Sequence, residues 1–221
     1  MIVVLSGGMD SSTLLWDALH QFPNDRIEAV SFFYGQRHGR KELECAAMLA
    51  GLRQVQHWTL DVSGLSIVFA GSSQTDPSIP VPEGRYDDPS MKTTVVPNRN
   101  MIMLALAAGL AISHKHDFIA YGAHAGDHAI YPDCRPEFVQ AMGDVLALCH
   151  YVPGVRLWTP YLKMDKGAVC KRGMQLGVPY QLTWTCYAGL EKPCGKCGAC
   201  VERAEAFASA GVPDPLLEVA S

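Results

Sequence analysis

Two groups of residues in this 221-residue chain could do chemistry. The first is Ser6-Gly7-Gly8-Met9-Asp10-Ser11, preceded by the apolar run Ile2-Val3-Val4-Leu5 and followed by Leu14, Leu15, Ala18 and Leu19 at helical spacing. A strand, a glycine turn and a helix start bring unpaired backbone N–H groups and the positive end of a helix dipole to one point, which is an anion site. Glycines let the backbone curl around phosphate oxygens, serine hydroxyls add hydrogen bonds, and Asp10 either caps the helix or helps hold Mg²⁺. The alternative is an ordinary capped turn, but the full Ser-Gly-Gly-x-Asp-Ser string at the carboxyl end of a first strand favours a nucleotide. No Lys follows the second glycine as in a Walker A loop, which disfavours γ-phosphoryl transfer, and no Gly-x-Gly-x-x-Gly string marks a dinucleotide site.

The second group is Cys186, Cys194, Cys197 and Cys200. The turn-rich spacer Lys192-Pro193-Cys194-Gly195-Lys196-Cys197-Gly198 lets successive thiolates curl towards one point, and four sulfurs close a tetrahedral Zn²⁺ site. Such a site has no open position for water, so its metal is structural; an iron–sulfur cluster and redox thiols are the other readings of the spacing. The remaining cysteines, Cys45, Cys134, Cys149 and Cys170, are expected in the core, where free Cys behaves as a small hydrophobe.

The elements that must position these groups alternate. Ile2–Leu5, Ile27–Phe33, Val55–Leu60 and Phe118–Tyr121 read as strands. Between them lie helical stretches, one with Leu43, Ala46, Ala47 and Ala50 on one face, and one, Met101–Ile112, apolar all round as for a buried helix. Pro136 opens a further helix with Phe138, Met142, Val145, Leu146 and Cys149 on its inner face. The expected fold is α/β, a parallel sheet with helices on both faces. Asp61–Pro97 holds five of the 14 prolines and reads either as a functional loop or lid or as a variable surface excursion.

Lys+Arg 18 against Asp+Glu 22 gives a net charge of −4, with no basic run, which argues against a polynucleotide partner. The first basic residue is Arg26, so the apolar start is not a secretory signal, and the 12-residue run Met101–Ile112 falls short of a membrane span. A cytoplasmic protein acting on small molecules, with no membrane partner, is expected.

The loop Ser6–Ser11 resembles the PP-loop of the ATP pyrophosphatase superfamily, whose members hold the β- and γ-phosphates together while a substrate oxygen attacks the α-phosphorus. That loop and the four-Cys cluster together resemble the QueC family of 7-cyano-7-deazaguanine synthases. So do Tyr34-Gly35-Gln36-Arg37-His38, Ile79-Pro80-Val81-Pro82, Val96-Pro97-Asn98-Arg99-Asn100 and Tyr131-Pro132-Asp133-Cys134-Arg135. Two departures are Asn98 where Gly is expected, and the differently composed loop Ala123-His124-Ala125-Gly126-Asp127-His128-Ala129-Ile130. His124 and His128 have metal-like spacing with no second pointer to a metal.

The resemblance implies a Rossmann-like, adenine nucleotide alpha hydrolase-like domain over residues 1–180 and a small zinc-binding module over 181–221. It implies conversion of 7-carboxy-7-deazaguanine and ammonia, with ATP and Mg²⁺, to the 7-nitrile through adenylated intermediates, by a homodimer. A related enzyme stopping at the 7-amide and a tRNA-modifying PP-loop enzyme are the alternatives. No glutaminase domain fits beside this fold, so ammonia would arrive free or from a partner. The ATP site would be Leu5, Ser6, Gly7, Gly8, Met9, Asp10, Ser11, Ser12, Thr13, Leu14 and Leu15. Arg99, Lys166 and Asp127 would be catalytic, and Arg37, Asp127 and Asp133 would bind the deazaguanine; a guanidinium binds carboxylate or phosphate bidentately, and a carboxylate accepts from an amino and N–H edge. Asp127 and Asp133 read equally as loop-capping residues.

Overall fold

The computed structural model describes residues 1–150 and 154–219. Five strands form one parallel sheet in the order β3-β2-β1-β4-β5: β1 (Ile2–Val4), β2 (Glu28–Phe33), β3 (Gln56–Asp61), β4 (Phe118–Ala120) and β5 (Arg156–Trp158). Alternate strand residues supply two cores. Ile2, Val30 and Ile119 face α3 (Arg99–Ser113) and α4 (Pro136–Leu148). Val3, Ala29 and Ala120 face the other way, among residues of α1 (Met9–Gln21), α2 (Gly39–Leu52), α5 (Lys166–Gln175) and α6 (Gly198–Ala210); a short α7 (Pro215–Val219) follows. Helices on both faces of a parallel sheet are thus observed.

Chain order turns back between β1 and β4, and the carboxyl ends of these central strands open into a cleft, as is usual where a doubly wound sheet switches direction. β5 was not anticipated, because three edge residues, Arg156 exposed and Leu157 and Trp158 half-buried, give no periodic signal.

Three helical expectations are corrected. Met101–Ile112 is not buried all round: Met101 and Leu106 are exposed, Met103, Leu104, Ala107, Ala108 and Ala111 are buried in the core, and Ile102, Leu110 and Ile112 pack partly against it, so its uniform apolarity hid an ordinary one-sided helix. On α4 the inner face is Val139, Met142 and Leu146, whereas Val145 and Cys149 are exposed, and Cys149 is therefore not a core thiol. Ala47 is likewise exposed; α2 packs through Cys45, Ala46, Leu49 and Ala50. No helix among the described residues is long and apolar enough to cross a membrane.

The proline-rich segment is a tied-down loop with 3-10 turns at Ser63–Phe69 and Pro89–Thr94. Arg37 holds it, donating to the backbone carbonyls of Ser73 (2.8 Å), Asp76 (2.7 Å) and Ile79 (2.7 Å). Ser72, Ser73 and Gln74 are completely buried, and Tyr86 and Met91 enter the core. Glu83 then bridges to Cys197, with Gly84 N–H donating to the Lys196 carbonyl at 2.9 Å, so the loop is fastened to the cysteine segment. Cys186 and Cys197 themselves are buried in the core that holds Phe32 and Tyr34.

Candidate active site

The cleft begins at the glycine loop. Gly7 has φ +79°, and a Cβ there would lie 2.8 Å from the Ala46 backbone nitrogen and 2.9 Å from Cys45 Cβ, so glycine is required both by backbone conformation and by the close approach of α2. Gly8, the N-cap of α1, has ordinary extended dihedrals and no capping side chain. The serines bond within the loop: Ser6 Oγ lies 3.0 Å from Ser11 Oγ and accepts from Gly8 N–H at 3.3 Å. Such contacts are exchangeable for phosphate oxygens.

Leu5, Ser6, Gly8, Met9, Asp10 and Ser11 line the cleft. Ser12, Thr13, Leu14 and Leu15 do not, being fully buried on the core side of α1, where the Ser12 and Thr13 hydroxyls donate to the carbonyls of Gly8 (2.6 Å) and Met9 (2.8 Å).

Behind the loop lies a buried charge cluster. Lys166 Nζ at the start of α5 sits 3.2 Å from Asp10 Oδ2 and 2.6 Å from Glu202 Oε2 of α6. Burial disfavours the ammonium, but the Asp10 and Glu202 carboxylates overcome it and hold the Lys166 pKa above the usual lysine range. Burial likewise works against the Asp10 carboxylate, and Lys166 with His124 pulls its pKa well below the ordinary value. His124 Nδ1 accepts from Gly126 N–H at 3.1 Å, which turns Nε2 towards Asp10 Oδ2 (3.6 Å) and Asp127 Oδ2 (3.4 Å). Among the described residues Asp10 Oδ1 is buried without a hydrogen-bond partner. His124, Asp127 and Glu202 bring polar atoms within 4.8 Å of one another, but against burial the Asp127 and Asp10 carboxylates raise the His124 pKa to about 9, so the ring is held as an imidazolium between carboxylates rather than as a donor to a cation. Asp10, Asp127 and Glu202 thus surround two cationic groups, the Lys166 ammonium and the His124 ring.

The far wall is aromatic. Tyr34, Tyr86, Tyr121, Tyr131 and Tyr187 line it, and burial pushes all five hydroxyls above the ordinary tyrosine value. Tyr86 donates to Asp127 Oδ1 at 3.0 Å. Arg99 donates from Nη1 to Tyr34 Oη (3.2 Å) and from Nε to Asn100 Oδ1 (3.3 Å); among the described residues no carboxylate lies within 4 Å of its guanidinium. A half-buried cation without a counter-charge, facing a cleft, suits an anionic ligand group.

Of the sequence-derived residues, the structure brings the loop, Arg99, Asp127 and Lys166 to one cleft. Arg37 is not there, its donors being spent on the long loop, and Asp133 accepts from Asn100 N–H at 3.1 Å at the start of α3. Asn98 has φ +55°, a left-handed position that glycine or asparagine fills most readily, which accounts for Asn in place of the expected Gly. Glu202, Tyr86 and Gln74 were missed; Glu202 sits in a stretch with the composition of a solvated helix, and the other two in a loop without periodicity.

The four cysteine sulfurs lie within 4.8 Å of one another, with Cys194 Sγ and Cys200 Sγ 4.0 Å apart, a spacing for one central metal rather than a disulfide. Cys197 is the N-cap of α6 and Cys200 lies in its first turn. Hydrogen bonds from Cys197 and Cys200 lower the Cys186 pKa to about 4, helped by the N–H groups of Cys194 (3.3 Å) and Ala188 (3.4 Å), while the same contacts push the Cys200 thiol up.

Residues 1–211 match the family model described as "Queuosine biosynthesis protein QueC". The chain is 52% identical to 7-cyano-7-deazaguanine synthase of Alteromonas mediterranea over 98% of this chain and 97% of that one. It is 53% identical to the protein of the same name from Caldicellulosiruptor saccharolyticus, over 97% and 93%. Among solved structures, U34-tRNA thiolase NcsA from Methanococcus maripaludis, with its 4Fe-4S cluster, is similar at TM-score 0.49 and 14% identity, covering 93% of this chain and 63% of that chain, too distant to carry chemistry across.

The two loop glycines should respond differently to substitution. Gly8→Val places its branch where a Cβ already meets Ser6 Oγ at 3.2 Å, in the space phosphate would take, and should abolish ATP binding by calorimetry while the unfolding midpoint stays near wild type. Gly7→Ala should instead cost several kcal/mol of stability through left-handed strain and overlap with α2. Wild-type ATP affinity in Gly8→Val would show that the loop is only a turn.

Proposed function

The chain belongs to the queuosine biosynthesis protein QueC family, and on that footing we propose that it converts 7-carboxy-7-deazaguanine and ammonia to 7-cyano-7-deazaguanine at the expense of ATP. The observation that carries this reading is Arg99, a cation without a carboxylate partner in the cleft that starts at a phosphate loop lacking a Walker lysine. A carboxylate anchored there can reach an α-phosphorus held at the N-terminus of α1. A carboxylate oxygen is a poor leaving group, and adenylation makes it the leaving group AMP. Ammonia displaces AMP to give the amide; a second adenylation, on the amide oxygen, lets that oxygen depart as AMP and leaves the nitrile. The names of the matched relatives favour the nitrile over an enzyme that stops at the amide, and over a tRNA substrate.

In this reading Ser6, Gly8 and Ser11 hold the β- and γ-phosphates. Mg²⁺ enters with ATP as substrate, and Asp10 Oδ1, a carboxylate oxygen beside the loop with no hydrogen-bond partner among the described residues, fits it. Lys166 holds Asp10 in place and supplies positive charge beside the phosphates. Asp127 accepts from the amino and N–H edge of the deazaguanine, while the tyrosines, un-ionised, cover its faces. The products test it: AMP and pyrophosphate should each form at two per nitrile, resolved by ion-exchange chromatography, and release should require both the 7-carboxy compound and ammonium. Stoichiometric ADP would overturn the assignment.

For the cysteine cluster we propose structural Zn²⁺, supported by four converging thiols and no other ligand position. Metal analysis should find about one Zn²⁺ per chain in a colourless protein, and Cys194→Ser should lose soluble expression or stability. Iron with visible absorption would identify a cluster instead.

A further inference from the structure

The proposed reaction sets a proton balance that the residues named so far do not meet. Ammonia brings three N–H bonds and the nitrile nitrogen keeps none, so three protons must leave the nitrogen within the cleft. The groups already described are poor acceptors. Asp10 is committed to Lys166 and held strongly ionised, Lys166 is held protonated, and the tyrosine hydroxyls and the Cys134 thiol are all pushed towards their protonated forms by burial. Asp127 already accepts from Tyr86 and faces His124.

One neutral base also lines the cleft. His38 is 2% exposed, stands at the start of α2 beside the glycine loop, and packs its ring against Tyr187 with centroids 5.3 Å apart. Its Nε2 faces Glu42 Oε1 at 3.6 Å, and Glu42 is fixed from behind by Gln36 Nε2, which donates to Oε2 at 3.0 Å and to the Phe32 carbonyl at 3.1 Å. The ring also has a backbone hydrogen bond at Tyr187; with the proton on Nε2 towards the carboxylate, the lone pair sits on Nδ1, which is buried and has no side-chain partner among the described residues. A base oriented by a carboxylate, with no side chain bonded to its other nitrogen, is the arrangement general-base chemistry uses. Burial lowers the His38 pKa, and the Arg99 guanidinium adds to this, outweighing Glu42, Cys197 and the Tyr187 backbone bond, so the neutral ring is favoured.

We infer that His38, oriented by Glu42, accepts the protons released from nitrogen during amination and dehydration. This rests on the proposed reaction. In the first half, ammonia's lone pair forms the C–N bond, a proton passes from nitrogen to His38 Nδ1, and the C–O bond to AMP breaks. In the second, the O-adenylated amide gives up its two remaining nitrogen protons as the C–O bond to AMP breaks and the C≡N bond completes. His38 returns each proton to solvent. Both adenylation steps need no proton removal from nitrogen and lie outside its role.

That division supplies the test. His38→Gln and Glu42→Gln are compared with wild type in two assays: exchange of labelled pyrophosphate into ATP dependent on the 7-carboxy compound, and nitrile formation with ammonium. Expected for His38→Gln is wild-type exchange with nitrile formation reduced about a hundredfold or more, the scale of general-base catalysis. Glu42→Gln should show a smaller loss of kcat with unchanged KM for ATP. Wild-type nitrile formation in His38→Gln would overturn the inference. So would joint loss of exchange and nitrile formation, which would make His38 a binding or folding residue. Wild-type protein showing no carboxylate-dependent exchange would instead sink the proposed reaction, and this inference with it.

Discussion

A single buried ammonium ties the nucleotide end of this molecule to its cysteine end. Lys166 Nζ touches Asp10, on the first turn of α1, and Glu202, on α6. Removing charges from water is expensive, and a buried pair repays the cost only when its geometry is fixed by its surroundings. Here the surroundings are three helices: α1 and α5 are further joined by Asp17, which accepts from Arg172 (2.5 Å), and through Tyr180, beyond α5, whose hydroxyl meets that of Thr13 (2.7 Å) and donates to the Cys170 carbonyl (3.3 Å). Loss of one partner would strand a buried charge at a cost of about 3–5 kcal/mol, so the cluster fixes the relative placement of the helices as much as it stabilises them.

The parts of the fold legible in the sequence are those written in adjacent residues. Ile2-Val3-Val4-Leu5 followed by glycines and a helical repeat has few structural solutions, and the parallel sheet with helices on both faces follows from repetition of that pattern. Which side of a helix is buried was less legible where composition was uniform. In α3 apolar residues cover the whole circumference, so no pattern distinguishes Met101 from Leu104, and only the position of the sheet decides. Leu148, 84% exposed on α4, shows the same degeneracy.

For the site the division is similar. The glycine loop and the cysteines are each spaced so that local geometry alone makes them converge, and Arg99 and Lys166 stood out through their motifs. Glu202 and Tyr86 become site residues only through contacts spanning many positions, with Lys166 and Asp127 respectively. Arg37 illustrates the converse. Its string after the second strand suggested an anion ligand, but a guanidinium is equally suited to gathering backbone carbonyls, and three of these in the proline-rich loop take its donors.

That loop and the cysteine cluster are one assembly. Arg37 anchors the loop at its middle, the Glu83–Cys197 bridge fastens it to the cysteines, and Tyr86, three residues on, reaches Asp127 in the cleft. Cys197 caps α6, Cys200 lies in its first turn, and Glu202 follows within the same helix, so whatever fixes the four sulfurs also fixes where Glu202 meets Lys166. A metal bound by these thiols can therefore influence the phosphate loop without approaching the substrate, by setting the start of one helix and the course of one loop. Rigid support of this kind is what a cleft needs in order to hold two reacting groups in line without help from solvent, because a shift of about 1 Å in either would misalign them.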